Sequence, residues 1–361
     1  MASQRLRHQQ LTARTLSSPA SVVSTLVAVQ AQDPVAARWA VGLRMAGGVV
    51  TESAVGRALA EGSILRTHVM RWTWQLVCPA DVRWLLALVA PRLRQKYARR
   101  HRELGLDRAA LEKSRAVLER ALAGGEHLTR IELSERLARA KVPATGAALS
   151  HLLGHAELEG LICSGTPRGK IATYALLDLR VPTARRLPSR EEALSELARR
   201  YFLSRGPASV ADFAWWAGLT LTEAKAGHAG ARPHLVSEVV EGKPLWRGGA
   251  SAPAAGEEGP ADVQLLPAFD EYLVAYRDRG AVLDARLARR INAGGGMLDP
   301  CVVVDGRVAG TWRRTLGRGS VDVELRLFER PPAAIRRALL AAVARYGAFL
   351  ELEARVVGGL G

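Results

Sequence analysis

The chain has 361 residues, 48% of them hydrophobic, and 51 Lys and Arg against 35 Asp and Glu give a net charge of +16. That length exceeds what one hydrophobic core serves and predicts two to four compact modules, with a polyanion as the natural partner of the basic surplus. Apolar runs such as 338–343 stop far short of the roughly 20 residues that cross a bilayer, no apolar leader follows the basic start, and the three cysteines form no C-x-x-C pair. The expectation is a cytoplasmic, monomeric protein without membrane contact, disulfide framework, metal or cofactor.

Over 17–29, Val22, Val23, Leu26, Val27 and Val29 recur at helical spacing behind a Ser-Ser-Pro start, which predicts a helix. Pro34 disfavours helix at Asp33, and Ala36, Ala37, Ala40, Val41 and Leu43 predict a second helix, so Gln30-Ala31-Gln32-Asp33 reads as a junction. A short helix over 53–61 and an alternating strand over 68–77 complete the helix-helix-helix-strand order of a winged helix. A helix over 80–100 and a connector over 104–107 lead to a second unit, with helices over 111–122, 132–140 behind a Thr129 cap, and 145–159. Gly165-Thr166-Pro167-Arg168-Gly169-Lys170 then joins runs at 161–163 and 171–176 as a hairpin, a wing whose cations suit phosphate.

A Pro/Arg-rich stretch over 181–190 precedes a third helical unit, beginning at Glu191 and continuing through short helices over 209–218 and 222–227. An Ala/Pro/Gly/Glu-rich connection over 251–260 reads as flexible, and Gly294-Gly295-Gly296 as a mobile loop rather than a phosphate loop. Strands are predicted over 263–266, 301–304, 308–312 and 321–327, with a tight turn at Asp305-Gly306. The expected architecture is α+β: about three tandem winged-helix domains at 1–103, 104–182 and 188–250, then a small β-rich, barrel-like domain over 261–361.

Arginines stand beside turn signals and aromatic residues at Arg71-Trp72, Tyr276-Arg277 and Trp312-Arg313-Arg314, which favours nucleic acid over a membrane surface. An Arg-rich solvated surface is the plainer account of the same charge. Candidate DNA contacts are Arg71, Thr73, Arg168, Lys170, Arg277, Arg279, Arg313 and Arg314. The pair around Asp278 reads equally as an internal salt-bridge network, and Arg313 and Arg314 as solvated strand-end charge. Trp72, Trp74, Trp215, Trp216 and Trp312 read as core before they read as stacking platforms.

Residues two apart share one side of extended chain but not of a helix, so at a junction the amides of Gln30 and Gln32 can face one point. A neutral amide takes no proton at pH 7, yet its C=O and NH2 orient a water through defined hydrogen bonds. By spacing alone both are also ordinary helix-end polar residues, and Asp33 and Glu52 offer a general-base alternative.

Beyond these residues, Val29-Gln30-Ala31-Gln32-Asp33-Pro34, Met70-Arg71-Trp72-Thr73, Leu265-Leu266-Pro267-Ala268-Phe269-Asp270, Tyr276-Arg277-Asp278-Arg279 and 304–314 fall in the order of one known family. The chain resembles the AlkZ/YcaQ winged-helix DNA glycosylases, whose Gln-apolar-Gln branch Gln30-Ala31-Gln32 fits. The resemblance implies a monofunctional glycosylase acting on double-stranded DNA with alkylated purines, N7-alkylguanine foremost and bulky or crosslinked adducts besides. Gln30 and Gln32 would be the catalytic pair, and self-resistance in an antibiotic producer is a natural setting. Gln75 departs from the pattern, standing where relatives often carry His, and an amide cannot titrate. A winged-helix transcription regulator without catalysis is the alternative that fold alone favours.

Overall fold

The computed structural model describes residues 1–48, 50–181, 186–249, 261–294 and 297–358. The chain builds two compact units, one from Met1–Val55 with Ser195–Gly361 and one from Gly56–Leu194. It begins with α1 (Ala2–His8), α2 (Pro19–Leu26), the short strand β1 (Ala28–Gln30) and α3 (Pro34–Gly42). Ser18 and Ser21 form a capping box at the start of α2, with Pro19 in the first turn. The helix stops at Leu26 rather than Val29, because Val27 turns to φ 65°, ψ −50° with its N–H on Ser24 O at 3.1 Å. Asp33 caps α3, its Oδ1 accepting from the N–H groups of Val35 and Ala36 at 2.9 and 3.1 Å. The helix α4 (Glu52–Glu61) follows.

The second unit continues with β2 (Leu65–His68) and β3 (Trp74–Val77), an antiparallel pair in which His68 faces Trp74. The single strand expected over 68–77 is therefore a hairpin, folded back by a 3-10 turn at Met70–Trp72 where Arg71 and Trp72 take φ of 57° and 61°. Next come α5 (Pro79–Glu103), α6 (Arg108–Leu122), β4 (Leu128–Thr129), α7 (Arg130–Arg139), α8 (Gly146–Leu158), β5 (Ile162–Ser164), β6 (Thr173–Leu176) and α9 (Leu177–Arg180). The strands order as β4-β6-β5, all antiparallel, and Leu118, Leu133, Leu152 and Ile162 bring α6, α7, α8 and β5 to one fully buried core. Residues 182–185 of the expected Pro/Arg-rich linker lie outside the described residues.

After α10 (Arg190–Arg205) the chain returns to the first unit with α11 (Val210–Ala217), α12 (Leu221–Ala231) and the hairpin β7 (Leu235–Val240), β8 (Lys243–Gly248). Capping boxes at Ser209/Asp212 and Thr220/Glu223 start both short helices, and Gly218 at φ 70° ends the first. The expected flexible connection over 251–260, with Gly295 and Gly296 of the triglycine, lies outside the described residues. There follow β9 (Val263–Leu266), α13 (Glu271–Val274), β10 (Asn292–Gly294), β11 (Met297–Leu298), β12 (Cys301–Val304), β13 (Arg307–Leu316), β14 (Ser320–Leu327), α14 (Ala333–Leu350) and β15 (Glu353–Val356).

A curled sheet runs β15-β14-β13-β12-β9, with β14–β15 parallel and the other pairs antiparallel; Asp305 and Gly306 make the positive-φ turn expected between β12 and β13. The β-rich expectation omitted α14, whose buried Leu339, Val343, Tyr346 and Gly347 stand at helical spacing against β9 and β14. No helix among the described residues is long and apolar enough to cross a membrane.

Two indoles tie α3 and β13 to β9. Trp39 Nε1 donates to Leu265 O at 2.7 Å and Trp312 Nε1 to Leu266 O at 2.8 Å, and both rings pack on Tyr346 with centroids 5.0 Å away. Gly42 lets α3 approach α14 closely, since a Cβ there would sit 2.5 Å from Cε2 of the buried Phe349. In an open helix Gly→Ala stabilises by about 1 kcal/mol; here we expect Gly42→Ala to destabilise by about 1–3 kcal/mol through overpacking. Adding Phe349→Leu should recover part of the loss, read by chemical denaturation of the single and double variants.

Candidate active site

The strained turn at Val27 delivers the chain into β1 and then into the Gln-Ala-Gln segment. A β-branched residue at φ 65° costs on the order of 1–3 kcal/mol, and it persists only where its surroundings hold it. What holds it is buried charge. Arg205, at the end of α10, donates from Nη1 to Leu26 O at 2.9 Å and from Nη2 to Ala28 O at 3.0 Å, so its planar fork straddles Val27. Its neighbour Arg200 donates to Ser24 O.

The charge of Arg205 is met by Glu271, at 2.6 Å from Nη2 and 3.1 Å from Nε, both on Oε2. Neither side chain is exposed. Trp216 Nε1 donates to the same oxygen at 2.9 Å and its ring lies 4.3 Å beneath the guanidinium. The other carboxylate oxygen, Oε1, accepts the backbone N–H of Gln30 at 3.0 Å. Asp270 forms a second buried pair beside it, bidentate with Arg44 at 2.7 and 2.8 Å. Removing one partner of such a pair strands a buried charge and costs about 3–5 kcal/mol.

Gln30 is 9% exposed, Ala31 fully buried and Gln32 exposed, so the motif passes from interior to solvent within three residues. The two carboxylates that competed for the role of base are engaged elsewhere. Asp33 caps α3, and Glu52 pairs with Arg38 at 3.1 Å. Glu271, Arg205 and Arg44 escaped sequence reasoning, and Asp270 entered it only as the end of a family block. Their signal was two adjacent acids opening the apolar run Tyr272-Leu273-Val274, a context in which carboxylates are paired.

In the second unit the Arg71–Thr73 turn rests on a nest of rings. Trp72 lies 4.3 Å from Tyr97, 5.7 Å from His68 and His101, and 5.5 Å from His151, centroid to centroid. Thr73 Oγ1 donates to Met70 O at 3.0 Å and accepts from Gln75 Nε2 at 2.8 Å, so the buried Gln75 serves the turn. His68 Nδ1 bonds Glu157, again within the core. Burial lowers the pKa of His101 to about 4, with His155 and His151 adding like-charge repulsion; burial also lowers His151 and His155.

The remaining candidate cations divide. Arg168 pairs with Glu132 at 2.7 Å and bonds His127 O, whereas Lys170 on the same hairpin is exposed with no ion pair among the described residues. Arg279 donates to Leu273 O at 2.8 Å, and Arg314 to Tyr346 Oη. Arg277 is exposed and lines, with Arg279, a cavity of about 760 Å³ between α11, β8 and the 277–288 segment. Arg313 is exposed on β13 opposite Glu324. Trp216 and Trp312 are core, Trp72 and Trp74 are half-buried, and Trp215 is 46% exposed with Nε1 on Val274 O at 3.3 Å.

Comparison with known proteins returns one consistent pattern. The family model described as DNA glycosylase AlkZ-like matches residues 23–349. An interstrand DNA cross-link repair glycosylase of Streptomyces sahachiroi is 28% identical, with 98% of this chain and 97% of that protein covered. The structure of Streptomyces sahachiroi DNA glycosylase AlkZ superposes with a TM-score of 0.80 at 25% identity, covering 99% of this chain and 98% of that one.

The histidine nest predicts acid sensitivity. A histidine whose folded pKa lies below its ordinary 6.5 binds fewer protons in the native state, so its contribution is whole above pH 6.5 and is lost as pH falls toward about 4. Melting temperatures taken across that window should drop, and His101→Phe should make the drop shallower.

Proposed function

Because the chain belongs to the AlkZ-like DNA glycosylase family, we propose that it hydrolyses the N-glycosidic bond of N7-alkylated guanine in duplex DNA, with Gln30 and Gln32 as the catalytic pair. The observation that carries this reading is the commitment of both neighbouring carboxylates, Asp33 to a helix cap and Glu52 to an ion pair, beside a Gln-Ala-Gln segment whose Gln32 is exposed.

N7 alkylation makes the purine cationic, and breaking its bond to C1′ returns the electron pair to a base that leaves neutral. The sugar becomes oxocarbenium-like, and catalysis reduces to charge stabilisation and placement of water. Fixed amide dipoles supply both, a contribution of a few kcal/mol when they are preorganised. Water bonds to C1′, its proton passes to solvent, and an abasic site remains. With no lysine in the motif, no covalent imine forms.

The crosslink activity in the name of the Streptomyces relative supports extending the substrate to bulky and crosslinked purine adducts, with self-protection of an antibiotic producer as the setting. The exposure of Gln32 suits a lesion tied to the opposite strand, which cannot swing into a closed pocket. We read the units at 1–103, 104–182 and 188–250 as winged helices that bring phosphate-binding cations, Lys170 at a wing tip first among them, against the duplex. Family membership removes the ground for a regulator without catalysis.

DNA bearing N7-methylguanine, incubated with the protein and then alkali, should break at the lesion. Gln30→Ala or Gln32→Ala should lower the excision rate by about a hundredfold to a thousandfold; wild-type rates in both folded variants would refute the assignment, and a borohydride-trapped enzyme–DNA adduct would refute the mechanism. Separately, Lys170→Ala should weaken binding to any duplex and reduce the slope of log affinity against log salt by about one.

A further inference from the structure

One charge pair holds the main chain on both sides of Val27 and at the first glutamine. Arg205 takes the carbonyls of residues 26 and 28 at 2.9 and 3.0 Å, and Glu271, locked by Arg205 and Trp216, takes the N–H of Gln30 at 3.0 Å. Neither Arg205 nor Glu271 is exposed, so neither reaches a substrate. We infer that Glu271, clamped by Arg205, is a positioning residue for glycosidic hydrolysis, fixing the backbone of Gln30 and through it the point where the amide pair holds water. The inference rests on the assignment of Gln30 and Gln32 above.

The ion pair as such is not what stability calls for. A buried salt bridge exchanged for well-packed apolar side chains usually leaves a protein as stable or more so, because both desolvation penalties disappear. An apolar pair cannot bond the carbonyls of 26 and 28 or the amide of 30. Those bonds oppose the strain at Val27, and without them the segment is free to relax. A displacement of about 1 Å at a catalytic group lowers rates on the order of a hundredfold. A structural and a positioning role therefore make different forecasts for the same double substitution.

The test uses the full chain carrying Arg205→Met with Glu271→Leu. Thermal stability, affinity for a duplex with N7-methylguanine, single-turnover excision and hydrogen exchange of the Gln30 amide are measured against Glu271→Leu alone. The double variant is expected to regain part of the stability lost by the single one, because no guanidinium is left stranded, and to bind DNA within about threefold of wild type. Its excision rate should stay on the order of a hundredfold low, and the Gln30 amide should exchange faster. Recovery of the rate together with stability would overturn the positioning role.

If the double variant does not fold, Glu271→Gln serves, because it keeps the shape but cannot accept from both Arg205 and Gln30 as the carboxylate does. Its rate should fall at least tenfold at unchanged affinity, and a wild-type rate would overturn the inference. Gln30→Ala and Gln32→Ala run alongside separate the two levels. Wild-type rates there sink the amide assignment and this inference with it, whereas loss there with full activity in the Glu271 variants sinks the positioning role alone.

Discussion

The first unit is organised around a carboxylate with no access to water. Glu271 accepts from a guanidinium, an indole and a main-chain amide, so its desolvation is met by charge-assisted hydrogen bonds. Asp270 and Arg44 repeat the arrangement one residue away, with Gln9 Oε1 accepting a further guanidinium proton at 3.1 Å. The four side chains lie within the unit's core, and Arg205 holds the strained turn before β1 by its bonds to Leu26 O and Ala28 O. The blocks around residues 30 and 270 are thus two faces of one construction, a physical reason for them to occur together in a sequence pattern.

Helices announced themselves where a cap and a period coincided. Ser18, Asp33, Thr129, Ser209 and Thr220 each begin a helix where local chemistry says one should. Two of the misses share a cause. Val27, Arg71 and Trp72 take positive φ although none is Gly, Asn or Asp, so no turn signal marked the end of α2 or the fold between β2 and β3. The run 338–343 is too short for a membrane span, and the helical spacing of Leu339, Val343, Tyr346 and Gly347 around it is the signal for α14. At the site the glutamine pair was legible only through resemblance to a family, and the clamp was not legible, since Gln30 and Glu271 are 241 residues apart.

A net charge of +16 overstates the cations free to meet DNA. Arg205 and Arg44 are buried, and Arg168, Arg279 and Arg314 are bonded within the protein. Lys170, Arg277 and Arg313 stand exposed. Arginine here binds main-chain carbonyls and ring faces, roles for which its rigid fork and weak hydration suit it better than lysine.

The first unit is assembled from two stretches of chain with Gly56–Leu194 between them. During synthesis the ribosome must add 241 residues after Gln30 before Glu271 exists, a wait of roughly 12 to 50 s at ordinary elongation rates. The intervening unit, continuous in sequence, has that interval in which to fold. Residues 1–55 have no such option and must wait until the stretch from Ser195 onward has been made, which exposes their apolar segments to chaperones and leaves any product terminated before Glu271 with the Gln30 amide lacking its carboxylate partner.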